Sequence, residues 1–244
     1  MELDRPLLKE RSKQLIRNSN PKVLTASILF IALSALITVL STRLVGIDAD
    51  TAARYLQYAQ SGNYDAALRV LNASTPSAGA QLVNLLLKSV SIIVALGFEI
   101  FLLNTLRGTA PVLANLLDGF GYWWKVLLID LVCGVLIVLW SLLLIVPGII
   151  AAYRYSMAHY VLITNPDFGV MDCIRESKRL TQGWKGALFV MDLSFLGWTL
   201  LCMIPVLGWL LSVWVTPYRA LSFLQAYEQI SGYTIPAEPM AENR

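Results

Sequence analysis

The chain has 244 residues, 57% of them hydrophobic and only 14% charged, with a formal net charge of +3. A soluble domain carries about 25% charged residues, so this chain has too little charge to coat a water-soluble globule. The three cysteines are far apart and show no C-x-x-C spacing, which argues against a disulfide framework and a zinc site and leaves them as packing residues.

The chain opens with a basic stretch, 1–22. Pro6 stands at a first-turn position, and apolar Leu7, Leu8, Leu15 and Ile16 alternate with Lys9, Arg11, Lys13 and Arg17. That pattern predicts a helix lying on the anionic cytoplasmic face of a membrane. From Val23 to Thr42 no charge occurs. At about 1.5 Å per residue this run crosses the roughly 30 Å of a hydrocarbon core. No small-residue cleavage site follows it, so the segment 23–45 reads as a retained first span.

The connection 46–80 reads as external, with a short helical pair over 50–71 broken at Ser61-Gly62-Asn63 and apolar at Leu56, Ala59, Leu68 and Leu71. Further spans are predicted over 81–106, 124–146, 148–163, 186–203 and 207–227. The fourth is the weakest, being short and containing Arg154 and His159. Pro147-Gly148 joins it to the third as either a tight turn or a kink. Asp167 is expected to cap a cytoplasmic helix over 168–182 that Gly183 ends. The tail 231–244, with Pro236 and Pro239, reads as disordered.

Lys and Arg concentrate before the first span, around Arg107 and Lys125, and at Arg175, Lys178, Arg179 and Lys185. The positive-inside rule then gives six crossings with both termini cytoplasmic. The expected architecture is all-α: a polytopic transmembrane helix bundle of three in-out-in hairpins with interfacial amphipathic helices, in the domain 23–230. The net charge follows from this orientation, so nucleic-acid binding is not indicated. A faint repeat relates Trp124-Lys125, Asp130-Leu131, Pro147-Gly148 and Tyr153-Arg154 to Trp184-Lys185, Asp192-Leu193, Pro205 to Gly208 and Tyr218-Arg219. Its spacings differ by several residues, which leaves coincidence open.

Several stretches carry a family resemblance. Trp140 to Ile150 (WSLLLIVPGII), Ala152 to Ala158 (AYRYSMA) and Asn165-Pro166-Asp167 resemble the core signature of the domain-of-unknown-function 975 family of bacterial integral membrane proteins. Ser177-Lys178-Arg179-Leu180, Gly183 with Lys185, Leu193 to Trp198 and Pro217-Tyr218 continue the pattern in order, and Leu8 to Lys13 resembles its start. More distantly the chain is similar to membrane domains attached to some bacterial glycerophosphodiester phosphodiesterases, without their hydrolase domain. The resemblance implies a helical protein of the bacterial cytoplasmic membrane and no established reaction.

A charge in the bilayer needs a partner or water. Glu99, Asp130, Arg154, Asp192 and Arg219 lie within the predicted spans and form the candidate polar site. By helix arithmetic the three carboxylates fall about 4 to 8 Å toward the cytoplasm and the two arginines near the midplane, so that opposite charges share a depth. Arg219 and Asp192 are the expected pair. Lys88 has no acidic counterpart at its level and is expected to snorkel. The single histidine, His159, cannot build a metal site with another and reads as packed or interfacial. Gly97, Gly134 and Gly197 suit close helix approach.

No G-x-S-x-G, H-E-x-x-H, Walker or dinucleotide motif occurs, so an enzyme, a cofactor and a metal are not expected. The sequence favours transport or envelope and lipid homeostasis, with a buried polar site for a solute or lipid headgroup. The alternative is a membrane-embedded scaffold that recruits a protein partner through the 167–183 helix or the 46–80 segment. An intramembrane enzyme acting on lipids ranks third. Membrane lipids are the expected partners, and oligomeric state does not follow from the sequence.

Overall fold

A computed structural model describes residues 3–19, 22–45, 49–109, 111–204 and 207–232. The proposed disordered tail falls outside these residues from position 233 onward, as does Pro205. Every regular element among the described residues is helical: α1 (Arg5–Asn18), α2 (Lys22–Val45), α3 (Ala49–Gln60), α4 (Tyr64–Ala73), α5 (Ala78–Leu106), a 3-10 helix (Leu113–Tyr122), α6 (Trp123–Leu143), α7 (Ile145–Tyr155), α8 (Ala158–Thr164), α9 (Val170–Leu180), α10 (Lys185–Leu193), α11 (Leu196–Cys202) and α12 (Leu207–Ser231). Three stretches are long and apolar enough to cross a membrane: Lys22–Val45, Ala78–Leu106 and Leu113–Leu143. The pair α10 and α11 reaches that standard only if its 43° bend is counted within one span. Such helices mark a membrane protein.

The chain divides into two compact units, one of Met1–Ile31 with Ile93–Arg244 and the other of Ala32–Ile92. In the smaller unit α3 packs on α4. Gly62 turns the chain between them at φ +74°, a left-handed conformation that glycine adopts without steric cost. Asn63 then caps α4, its side-chain oxygen accepting from the Ala66 N–H at 3.1 Å. The apolar face expected here is only partly used. Ala67 is buried, whereas Leu56 and Leu68 are more than half exposed. Lys88, on α5, is exposed and has no described carboxylate at ion-pair distance.

The larger unit corrects several boundaries. The third span ends at Leu143 rather than Val146. Leu144 is extended (φ −163°, ψ 150°) and makes the reversal itself, so Pro147 and Gly148 form the first turn of α7. Proline fits there because first-turn N–H groups have no intrahelical acceptor. Gly148 is needed for a different reason: a Cβ on it would run into Ser141 of α6. Gly208, in the first turn of α12, abuts the Cys202 carbonyl in the same way. Gly97 on α5 lies against the Leu116 backbone of the 3-10 helix, and Gly119 of that helix lies against the Ile93 carbonyl of α5. Gly134 and Gly197, expected to serve close packing, face open space.

The predicted fourth span is two helices, broken at Ser156-Met157. A break frees backbone groups that must find partners. Here α9 supplies them: Ser177 Oγ donates to the Arg154 carbonyl at 3.1 Å and accepts from the Met157 N–H at 3.2 Å, and Thr181 Oγ1 donates to the Arg154 carbonyl at 3.2 Å. Helix α9 starts at Val170 with Gly169 at its N-cap, not at 168 under an Asp167 cap. Gly183, at φ +84°, does end that region. Cys173, Ile174, Ser177 and Leu180 are its buried residues, and α6, α7 and α8 are its neighbours.

Helix α1 performs the matching task for the second break. Lys9 reaches from it to the Ser194 carbonyl at 3.4 Å, at the α10–α11 bend, with its ammonium 4.4 Å from the Phe195 ring centre. The same helix lies along α12. Leu8 and Ile16 are buried, and between them Ser12 meets Ser222 at 3.0 Å and accepts from Gln225 at 2.8 Å. The residues read as a membrane-surface helix thus turn one face to protein.

Candidate functional site

Within the larger unit, α12 brings Arg219 to Asp192 at the end of α10. Arg219 donates through Nη2 at 2.7 Å and through Nε at 3.1 Å, both to Asp192 Oδ1. Tyr153 of α7 donates its hydroxyl to the other carboxylate oxygen at 2.9 Å. Asp192 is therefore satisfied on both oxygens by charged or phenolic donors, an arrangement that fixes three helices to one another. The Arg219 guanidinium also lies 5.4 Å from the Phe223 ring centre.

These residues line a cavity of about 730 Å³. Its walls include Glu99, Tyr153, Tyr160, Asp192 and Arg219 together with the aromatic rings of Phe30, Phe98 and Phe223. Phe30 and Phe98 stack face to face at 4.5 Å and form one apolar wall. Asp192 answers Arg219, and Glu99 is the other carboxylate of this cavity. The volume falls in the range of small-molecule sites, about 300–1,000 Å³.

Asp130 lies elsewhere. It accepts or shares a proton with His159 Nε2 at 2.8 Å, and the two line a smaller cavity of about 200 Å³. The other ring nitrogen of His159 stands 3.9 Å from Glu99 Oε2. The structure thus joins Asp192 with Arg219, and Asp130 with Glu99 through His159. It does not join Arg154 to any of them: no described carboxylate lies within ion-pair distance, and its buried Nε has no hydrogen-bond partner. His159 is the residue that sequence reasoning missed. Its sequence context marks it as packed or interfacial, and the contact with Asp130 on another helix is what the structure adds.

A family model described as "Protein of unknown function (DUF975)" matches residues 3–234. The chain belongs to that family. No curated protein and no solved structure matches it. The matched range takes in all the residues of both polar clusters.

Proposed function

We propose that this chain is a six-span protein of the bacterial cytoplasmic membrane, with both termini cytoplasmic, whose larger cavity binds a polar solute or lipid headgroup in transport or lipid homeostasis. What carries the reading is the cavity of about 730 Å³ in which Arg219 and Glu99 present opposite charges between aromatic walls. A charge held inside a membrane helix costs roughly 2.5–3.5 kcal/mol on insertion scales, so retaining both sides of such a cavity calls for a return in binding. Opposite charges suit a ligand with an anionic and a cationic end. The surface helices, the α6–α7 reversal and the α11–α12 connection fit three successive hairpins, each preceded by an amphipathic helix.

The scaffold alternative asks α9 or the 46–80 segment for an exposed apolar stripe, and in the latter Leu56 and Leu68 are exposed. On α9 Cys173, Ile174 and Leu180 are buried and Met171 is exposed, while the outer face carries paired charges, Asp172 with Arg175 and Glu176 with Arg179. The Arg179 guanidinium holds the Glu176 carboxyl below the ordinary carboxylate range. Polar lipids and solutes carried through purification, identified by mass spectrometry, test the binding proposal. A zwitterionic species retained by the natural chain and lost in Arg219→Leu and Glu99→Gln is the expected result; equal retention in all three rejects it. Topology is tested separately on a cysteine-free background, where Thr75→Cys should react with an impermeant thiol reagent from outside intact cells and Lys178→Cys should not.

A further inference from the structure

Glu99, His159 and Asp130 come from α5, α8 and α6, and they stand between two cavities. Glu99 belongs to the wall of the larger one, while His159 and Asp130 belong to the wall of the smaller. Ala152 and Ser156 line both. On one side of the imidazole, Nε2 is directly bonded to Asp130 Oδ1 at 2.8 Å. On the other, Nδ1 is 3.9 Å from Glu99 Oε2, a buried oxygen with no hydrogen-bond partner. That separation is about 1 Å longer than a direct bond, and with Oε2 enclosed by protein a small rotation of the Glu99 side chain is what closes it.

A histidine that only packs helices together would have one nitrogen satisfied and the other turned to an inert neighbour. Here both nitrogens face carboxylates, and the carboxylate on the open side lacks any other partner. A metal does not explain the cluster, since no described group of these residues has the geometry to hold one. We infer that Glu99, His159 and Asp130 form a proton-transfer site connecting the two cavities. The inference stands on the cluster itself and does not depend on what the larger cavity binds.

The step balances. A Glu99 carboxylic acid, rotated onto the ring, gives its proton to Nδ1 while Nε2–H gives its proton to Asp130 Oδ1. It leaves a Glu99 carboxylate, an Asp130 carboxylic acid and a neutral imidazole in the other tautomer. The other titratable or charged groups around the ring are few. Cys133 of α6 and Tyr155 of α7 line the small cavity, Tyr160 shares α8, and Tyr153, Asp192 and Arg219 line the large one. Helix α9, packed on α8, has Cys173 as its buried titratable residue, a thiol that burial pushes up to about 11 and so keeps neutral.

His159 is the chain's single histidine, so ¹⁵N-histidine labelling of the whole protein in lipid nanodiscs reports this one site by NMR. The expected result is an imidazole that passes between singly and doubly protonated forms between about pH 5 and 9, the range open to histidine. Removing the facing charge in Glu99→Gln should lower its proton affinity about tenfold, as expected for a carboxylate within a few ångströms, and Asp130→Asn should do the same. One fixed tautomer across that range in the natural chain overturns the inference, as does a Glu99→Gln titration that matches the natural one. The natural-chain titration needs no variant, so a folding defect in Glu99→Gln leaves the test decisive.

Discussion

The segments α6–α8 and α10–α12 each set a carboxylate against a basic side chain and differ in which one. Asp130 on α6 is met by the imidazole of His159, and Asp192 on α10 by the guanidinium of Arg219. A guanidinium stays charged at any physiological pH, whereas an imidazole changes charge within it. One segment therefore holds a permanent ion pair beside a ligand-sized cavity, and the other a pair that can take up and release a proton. The breaks differ too. Hydroxyls of α9 satisfy the α7–α8 break, and the ammonium of Lys9 satisfies the α10–α11 bend. The shared element is a glycine at the start of each return helix, Gly148 or Gly208, lodged against the helix before it.

The largest effect expected is at the permanent pair. Arg219→Leu leaves Asp192 with Tyr153 alone, and should destabilise the detergent-solubilised protein by about 1.5–3 kcal/mol, the range for charge-assisted bonds. The roughly 3–5 kcal/mol of a fully buried pair is too much, because the Arg219 side chain keeps 51% exposure. Adding Asp192→Leu should restore most of the loss in thermal unfolding. Strictly additive losses would mean that the two charges do not support each other.

Next come the glycines. Gly148→Ala and Gly208→Ala each force a methyl into a neighbouring helix and should cost about 1–3 kcal/mol. Gly134→Ala and Gly197→Ala, which meet nothing, should gain about 0.5–1 kcal/mol through helix propensity. A loss at all four positions would remove the shared device from the comparison.

Ser177→Ala tests the α9 seal. It strips the buried hydroxyl that serves both Arg154 and Met157, and should cost about 1–2 kcal/mol for groups left partly unsatisfied. Lys9→Met, at the other break, should cost less, about 0.5–1 kcal/mol, because its bond is long and exposed. Lys9 also gives a pH signature. Burial first, then Lys13 and Arg5, hold it below its ordinary 10.5. Between that lowered value and 10.5 the unfolded chain binds more protons, so stability should rise with pH through this window. Chemical denaturation of the Lys9→Met protein should show the rise flattened.

Much of the fold was legible from hydropathy and charge. The uncharged run from Val23 and the apolar run ending at Leu106 correspond to α2 and α5, because continuous helices declare themselves by length. The breaks were not legible. Ser156-Met157 contains no proline or glycine, and its stability comes from Ser177 and Thr181, which lie twenty or more residues away. The 3-10 helix Leu113–Tyr122 also escaped notice, since its packing on α5 depends on two glycines meeting across a crossing. In the candidate site, depth arithmetic put Asp192 and Arg219 at neighbouring levels, and they do meet. Depth alone could not assign Asp130 and Glu99 to His159, nor leave Arg154 aside, because it carries no information on the rotation of each helix about its axis.

The most direct test of the account is a high-resolution map of the natural chain in lipid nanodiscs. Non-protein density within hydrogen-bonding distance of both Arg219 and Glu99 is the expected result in the larger cavity, with nothing larger than water beside Asp130 and His159. Side chains collapsed into the larger cavity, or an equal ligand-sized density in the smaller one, would contradict it.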